Sequence, residues 1–198
     1  MCYVKISRHL FHAHLKEFIL IWLLTVLLIC TKYNDYGLPI ISLQPMKAIA
    51  LSFFLSWIAI FDFHYKLIYN KLLLLMFLVG VCFLPFDEMS IFTASEIVTT
   101  MLAGGAMFLM LSLLSRGGMG GGDVKFAFVL GLWQYGADFI ILILLAFWIG
   151  GFLAVCLLLS KKKALKDSMP FGPFLCMGSF LTCLFGEELQ SLYWSLFV

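Results

Sequence analysis

Charge is scarce in this sequence. Asp, Glu, Lys and Arg make up 12% of its 198 residues, against 63% that are hydrophobic, and the mean hydropathy is +1.06. A soluble domain of this size cannot hide so much apolar surface, because surface grows too fast relative to volume. The formal net charge of +2 gives no reason to expect a nucleic-acid partner. Cysteine pairing is also missing: Cys2, Cys30, Cys82, Cys156, Cys176 and Cys183 form no CxxC and lie mostly inside apolar runs. Cys176 and Cys183 are close enough in sequence to share a helix face, but no metal-ligand set surrounds them. They read as small buried residues rather than a disulfide framework. Lys5, Arg8 and Lys16 precede the apolar stretch Phe18 to Cys30, yet no A-x-A-like cleavage site follows, so an uncleaved first span is expected. Repeats, low-complexity tracts and soluble linkers are absent too. The expectation is a single membrane-embedded domain over 1–198.

What the sequence does have is long apolar runs, such as Phe139 to Leu159, sufficient to cross a bilayer as helix. The fold class is therefore all-α and polytopic, with about seven transmembrane helices and a range of six to eight. They run roughly over 15–31, 46–61, 71–86, 91–115, 124–136, 138–160 and 170–186, the fifth being short. Residues Glu187 to Val198 read as an amphipathic surface helix with Tyr193 and Trp194 at headgroup level. A cytoplasmic N-terminus puts Lys5, Arg8, Lys16, Lys66, Lys71, Arg116, Lys125, Lys161, Lys162, Lys163 and Lys166 inside. That is 11 of the 13 Lys and Arg, leaving only Lys32 and Lys47 outside. The turns left outside carry Asp35, Asp87, Glu88, Asp138, Glu187 and Glu188, in keeping with the same orientation.

Two carboxylates stand out against this background. Asp62 lies where the second span emerges, and Asp123 opens the fifth. Both fall at cytoplasmic helix ends, and an acid close to the hydrocarbon is costly enough to suggest function. Each has a plainer explanation. Asp62 can mark a helix exit, paired with Lys66 one turn later, and Asp123 suits the positive end of a helix. The glycines tip the balance: five of the six residues before Asp123 are glycine, from Gly117 to Gly122. Irregular backbone at membrane depth is tolerated only where it is buried in protein or lines a watery cavity. A third unusual segment, Pro170-Phe171-Gly172-Pro173-Phe174, suits a helix start or a rigid turn beside the two acids. The pairs Gly104-Gly105 and Gly150-Gly151 suit close helix packing. His9, His12 and His14 suit a headgroup-level segment. His64 lies two residues from Asp62, but no further ligand cluster supports a metal centre, so no metal and no cofactor are expected.

Three of these segments together resemble the type IV prepilin peptidases. Gly117 to Gly131 resembles that family's Gly-x-Gly-Asp motif, continuing through Val124, Lys125 and Gly131. Asp62 followed by Ile68-Tyr69-Asn70 is similar to its aspartate, basic loop and Ile-Pro-Asn, with Tyr69 in place of proline. Pro170 to Phe174 is similar to its Pro-Phe-Gly-Pro element. The order is the family's, and the likeness covers about residues 46–185, leaving 1–45 as an N-terminal segment and first span. The resemblance implies an aspartic endopeptidase of the bacterial inner membrane, its site toward the cytoplasm, that removes the basic leader of prepilins or pseudopilins. It implies Asp62 and Asp123 as the catalytic pair. Gly120, Gly122, Lys125, Asn70, Pro170, Phe171, Gly172 and Pro173 would shape the loops or hold substrate, with Asn70 able to cap or orient its loop. Many members carry a cysteine-rich segment after the first span and N-methylate the product. Here Thr31 to Pro45 has no CxxC, so the chain resembles the short peptidase-only form and methyl transfer is not expected. The implied partners are the substrate and the lipid bilayer; oligomeric state is left open.

Rival readings make different demands. A small proton- or ion-coupled transporter would put acids near mid-bilayer and show two related halves. A non-catalytic relative would keep the fold alone. A different Gly-x-Gly-Asp peptidase would cut within a membrane span rather than beside a basic leader.

Overall fold

The computed structural model describes residues 14–35, 43–86, 91–115, 119–160 and 170–197. The expectations for Cys2, Lys5, Arg8, His9, His12, Asp87, Glu88, Arg116, Gly117, Gly118, Lys161 to Lys163 and Lys166 lie outside the described residues. Among those described there are seven α-helices and no strand: α1 (Leu15–Asp35), α2 (Leu43–Tyr65), α3 (Asn70–Phe83), α4 (Ile91–Leu114), α5 (Gly121–Trp133), α6 (Ala137–Leu159) and α7 (Gly172–Phe197). A short 3₁₀ turn, Leu84–Phe86, follows α3.

Three segments are long and apolar enough to cross a membrane, Leu43–Tyr65, Thr93–Leu114 and Ala137–Leu159. Large apolar side chains such as Leu24, Leu102, Leu113, Trp148, Phe152 and Leu159 face outward. Water would penalise that surface, whereas lipid matches it. The chain is a polytopic helical membrane protein.

The helices alternate in direction, so one end of the bundle collects the starts of α1, α3, α5 and α7 with the ends of α2, α4 and α6. At that end the His14 ring hydrogen-bonds the Tyr65 hydroxyl. At the other end Lys32 pairs with Glu188, and Gln190 donates to Asp138. The cluster running through the bundle draws Leu51, Ile58, Met76, Phe108, Phe126, Leu130, Leu142 and Leu175 from α2 to α7. α1 attaches through two smaller clusters: near its start Phe18 stacks on Trp57 with ring centroids 4.2 Å apart, and further along Ile29 is buried against Ala48 and Leu184.

A helix stands at each of the seven expected spans, with shifted boundaries, and three of them are long and apolar enough to cross a membrane. α3 and α5 have only 14 and 13 residues. The expected C-terminal helix follows within α7 after a break at Phe185, where the backbone leaves the helical region with φ −126° and ψ 19°. Gly104, Gly105 and Gly150 face side chains of neighbouring helices, as close packing requires, whereas Gly151 faces open space.

Candidate active site

Asp62 stands on the last turn of α2 and is 4% exposed. The helix stops just beyond it because Lys66 takes a left-handed conformation, φ 51°, and donates its N–H to the Asp62 carbonyl at 2.9 Å. This is the single-bond αL termination, occupied here by lysine rather than the usual glycine. The chain then turns through Leu67 and Ile68 into α3.

Asp123 sits in the first turn of α5 and is 7% exposed. Gly120 is the residue before the helix, with φ −74° and ψ 147°, and its carbonyl accepts from the Asp123 N–H at 3.1 Å. The Asp123 carboxyl is directed back toward the Gly120 N–H, as the acid at the third position of a capping box is, while Gly120 has no side chain to supply the other half. Gly122 brings the Asp62 loop close: a Cβ at this position would lie 3.1 Å from the Ile68 Cβ.

The proline-framed segment completes the enclosure. The Gly172 N–H is directed at the Asp62 carboxyl, and a Cβ on Gly172 would lie 2.5 Å from Asp62 Oδ2. Only glycine lets this backbone approach so near. Phe171, the residue before α7, holds the segment down by packing on Phe147 and Phe108, with ring centroids 5.1 and 5.8 Å away. Pro173 falls in the first turn of α7, where its missing N–H costs nothing.

The expected site residues are thus drawn together from three distant stretches of sequence. The charges of Asp62 and Asp123 act on one another. Asp62 Oδ2 and Asp123 Oδ1 are buried and have no hydrogen-bond partner among the described residues. A buried carboxylate oxygen without a partner is costly, and two neighbouring acids resist double ionisation. Such a pair is suited to holding one proton and handing it on.

Lys125 and Asn70 are joined directly, the Lys125 Nζ donating to Asn70 Oδ1 at 3.1 Å. Asn70 therefore orients its loop by tying α3 to α5. It does not cap α3, whose preceding residue is Tyr69 with no side-chain cap. Tyr69 has φ −74°, within the range a proline ring imposes, and its ring packs edge-on against Phe61 at 5.1 Å.

One grouping escapes a reading of the sequence. His14 and Glu17 meet His64 at the same end of the bundle. The i,i+3 spacing of His14 and Glu17 is visible in the sequence, but their meeting with His64 depends on how α1 docks. At the opposite end a cavity of about 680 Å³ opens among Lys32, Lys47, Gln134, Asp138 and Glu187. Neither Asp62 nor Asp123 lines it.

Comparison with known proteins gives an independent view. The chain is 29% identical over 167 residues to a prepilin leader peptidase/N-methyltransferase of Bacillus subtilis, covering 77% of this chain and 61% of that one. It is 42% identical over 67 residues to leader peptidase HopD of Salmonella typhimurium, covering 33% of this chain and 43% of that one. A prepilin leader peptidase/N-methyltransferase of Xanthomonas campestris pv. campestris shares 26% over 156 residues, 76% of this chain and 53% of that one. The chain thus spans less than two thirds of the length of these relatives. No solved structure matches it. The profile of the type IV leader peptidase family matches residues 49–155, more than half of the chain, and the chain belongs to that family.

Proposed function

We propose that this chain is a membrane aspartic endopeptidase that removes the basic leader of type IV prepilins or pseudopilins at the cytoplasmic membrane face. Asp62 and Asp123 form its catalytic pair. The observation that carries this reading is the convergence of two buried carboxyls, each with an oxygen left unpartnered, within backbone supplied by three separate segments. Family membership and the names of the relatives support the substrate class.

Peptide hydrolysis by such a pair needs no nucleophilic side chain. One carboxylate acts as general base on the attacking water, while its protonated partner polarises the scissile carbonyl and later supplies the leaving amine with a proton. The pair titrates as a unit, so the two roles belong to it jointly. The apolar helix of the substrate would pack laterally in the bilayer, its leader staying in the cytoplasm. The glycine-framed backbone at Gly120, Gly122 and Gly172 would accept the extended cleavage segment, with Lys125, Asn70, Pro170, Phe171 and Pro173 shaping the walls.

The test is direct. Purified wild type is incubated with a prepilin and the product mass is measured. Asp62→Asn and Asp123→Asn are each expected to abolish cleavage while retaining the helical circular-dichroism signal. Cleavage retained by either variant would remove that residue from the pair. A cut in mid-helix rather than beside the basic leader would favour an intramembrane protease of other specificity.

A further inference from the structure

The cluster formed by His14, Glu17 and His64 has no part in the chemistry just described. Glu17 Oε2 lies 2.9 Å from His14 Nδ1 and 3.9 Å from His64 Nε2. The two imidazoles lie against each other with ring centroids 4.3 Å apart. One ligand atom from each residue falls within 4.8 Å of the other two. A tetrahedral ion with bonds of about 2.1 Å sets its ligands about 3.4 Å apart; the two distances to Glu17 lie about 0.5 Å either side of that spacing, and small side-chain rotations would bring all three groups to it.

The ring nitrogens facing away from Glu17 are both engaged. His64 Nδ1 is 3.0 Å from the Ile60 carbonyl oxygen, an acceptor only, so that nitrogen carries the proton and Nε2 presents its lone pair toward Glu17. His14 Nε2 is 2.9 Å from the Tyr65 hydroxyl, which can accept a proton from the ring when Nδ1 binds an ion. Metal-binding histidines are characteristically held this way, with the second nitrogen tied to a protein oxygen that fixes tautomer and orientation. A cation would displace the proton that His14 Nδ1 shares with Glu17. It would leave a fourth position open to solvent, since Glu17 is half exposed.

We propose that His14, Glu17 and His64 bind a divalent cation of the zinc class and so clasp the start of α1 to the end of α2. Two imidazoles and one carboxylate suit Zn²⁺ and its neighbours rather than Mg²⁺ or Ca²⁺, which favour oxygen ligands. The ion would sit beside the site without touching the reacting atoms. It would secure the start of α1, where the Phe18 and Trp57 rings already pack; the far end is held separately by Ile29 and Lys32.

Cobalt(II) is the probe, added to metal-stripped full chain in detergent and carrying no polyhistidine tag. Wild type is expected to bind one Co²⁺ per chain with the intense visible absorption of a low-coordinate site, and Zn²⁺ to displace it. His64→Ala and Glu17→Gln should each weaken binding at least tenfold while keeping the helical circular-dichroism signal. Asp62→Asn should bind as wild type does, which separates this test from that of the peptidase. Zinc should raise the melting temperature of wild type and leave that of His64→Ala unmoved. The proposal is overturned if no saturable binding is seen, if His64→Ala binds like wild type, or if Asp62→Asn loses the ion.

Discussion

Gly172 is the residue at which a single added methyl would reach furthest into the site. Its backbone lies against the Asp62 carboxyl, and a side chain there would lie 2.5 Å from Oδ2. Gly172→Ala must therefore push either Asp62 or the start of α7 aside. Displacing a reacting group by about 1 Å costs on the order of a hundredfold in rate. Cleavage by Gly172→Ala should fall by at least tenfold in a timed assay of product mass, whereas Gly151→Ala, with nothing within 4 Å of the new methyl, should cleave at the wild-type rate. Equal rates would show that the close approach has no bearing on activity. The acids themselves were legible in the sequence, because a carboxylate beside glycines stands out on an apolar background. The Lys125–Asn70 bond and the His14–Glu17–His64 grouping were not. They join residues 55 and 50 apart in the chain, and periodicity carries no information about how two helix faces meet.

Among the elements, α5 bears the heaviest structural demand. It is buried on nearly every side, through Phe126, Ala127, Val129, Leu130, Leu132 and Trp133, and must still deliver Asp123 at its start. Its far end is clamped by polar bonds: Gln134 Nε2 donates to the Ser179 carbonyl at 2.9 Å, and the Ser179 hydroxyl returns a bond to Gln134 Oε1 at 2.7 Å. Trp133 Nε1 donates to the Met76 carbonyl at 3.2 Å. These bonds tie α5 to α7 and α3. Ser179→Ala leaves the amide oxygen of a buried glutamine without its donor, and should destabilise by about 1–2 kcal/mol. Thermal or denaturant unfolding in detergent measures that loss, and an unchanged midpoint would mean the clamp is idle. The spans were readable because long apolar runs admit little else. Their ends were not, because capping depends on tertiary partners: α7 runs on past its kink, and α3 gives way to a 3₁₀ turn.

At the scale of the whole molecule, the described cations are unevenly shared between the two ends. Lys16, Lys66, Lys71 and Lys125 belong to the helix ends around the acids, while Lys32 and Lys47 line the opposite cavity. By the positive-inside rule this distribution supports the proposed orientation, with the acid-bearing end toward the cytoplasm. With native cysteines changed to alanine, Glu187→Cys should react with a membrane-impermeant thiol reagent added to intact cells, and Lys66→Cys only after permeabilisation. The reverse pattern would invert the protein and separate the acids from any cytoplasmic leader. Two helices are also conspicuously short: at about 1.5 Å per residue, the 13 residues of α5 and 14 of α3 reach only about 20 Å. A bilayer offers about 30 Å of hydrocarbon. α5 is enclosed by its neighbours, but α3 turns Leu74, Leu75 and Leu78 outward, so the lipid beside α3 must dip. Under the proposed function that dimple would bring water toward the two acids, and the thickness of the surrounding lipid would enter the working geometry of the site.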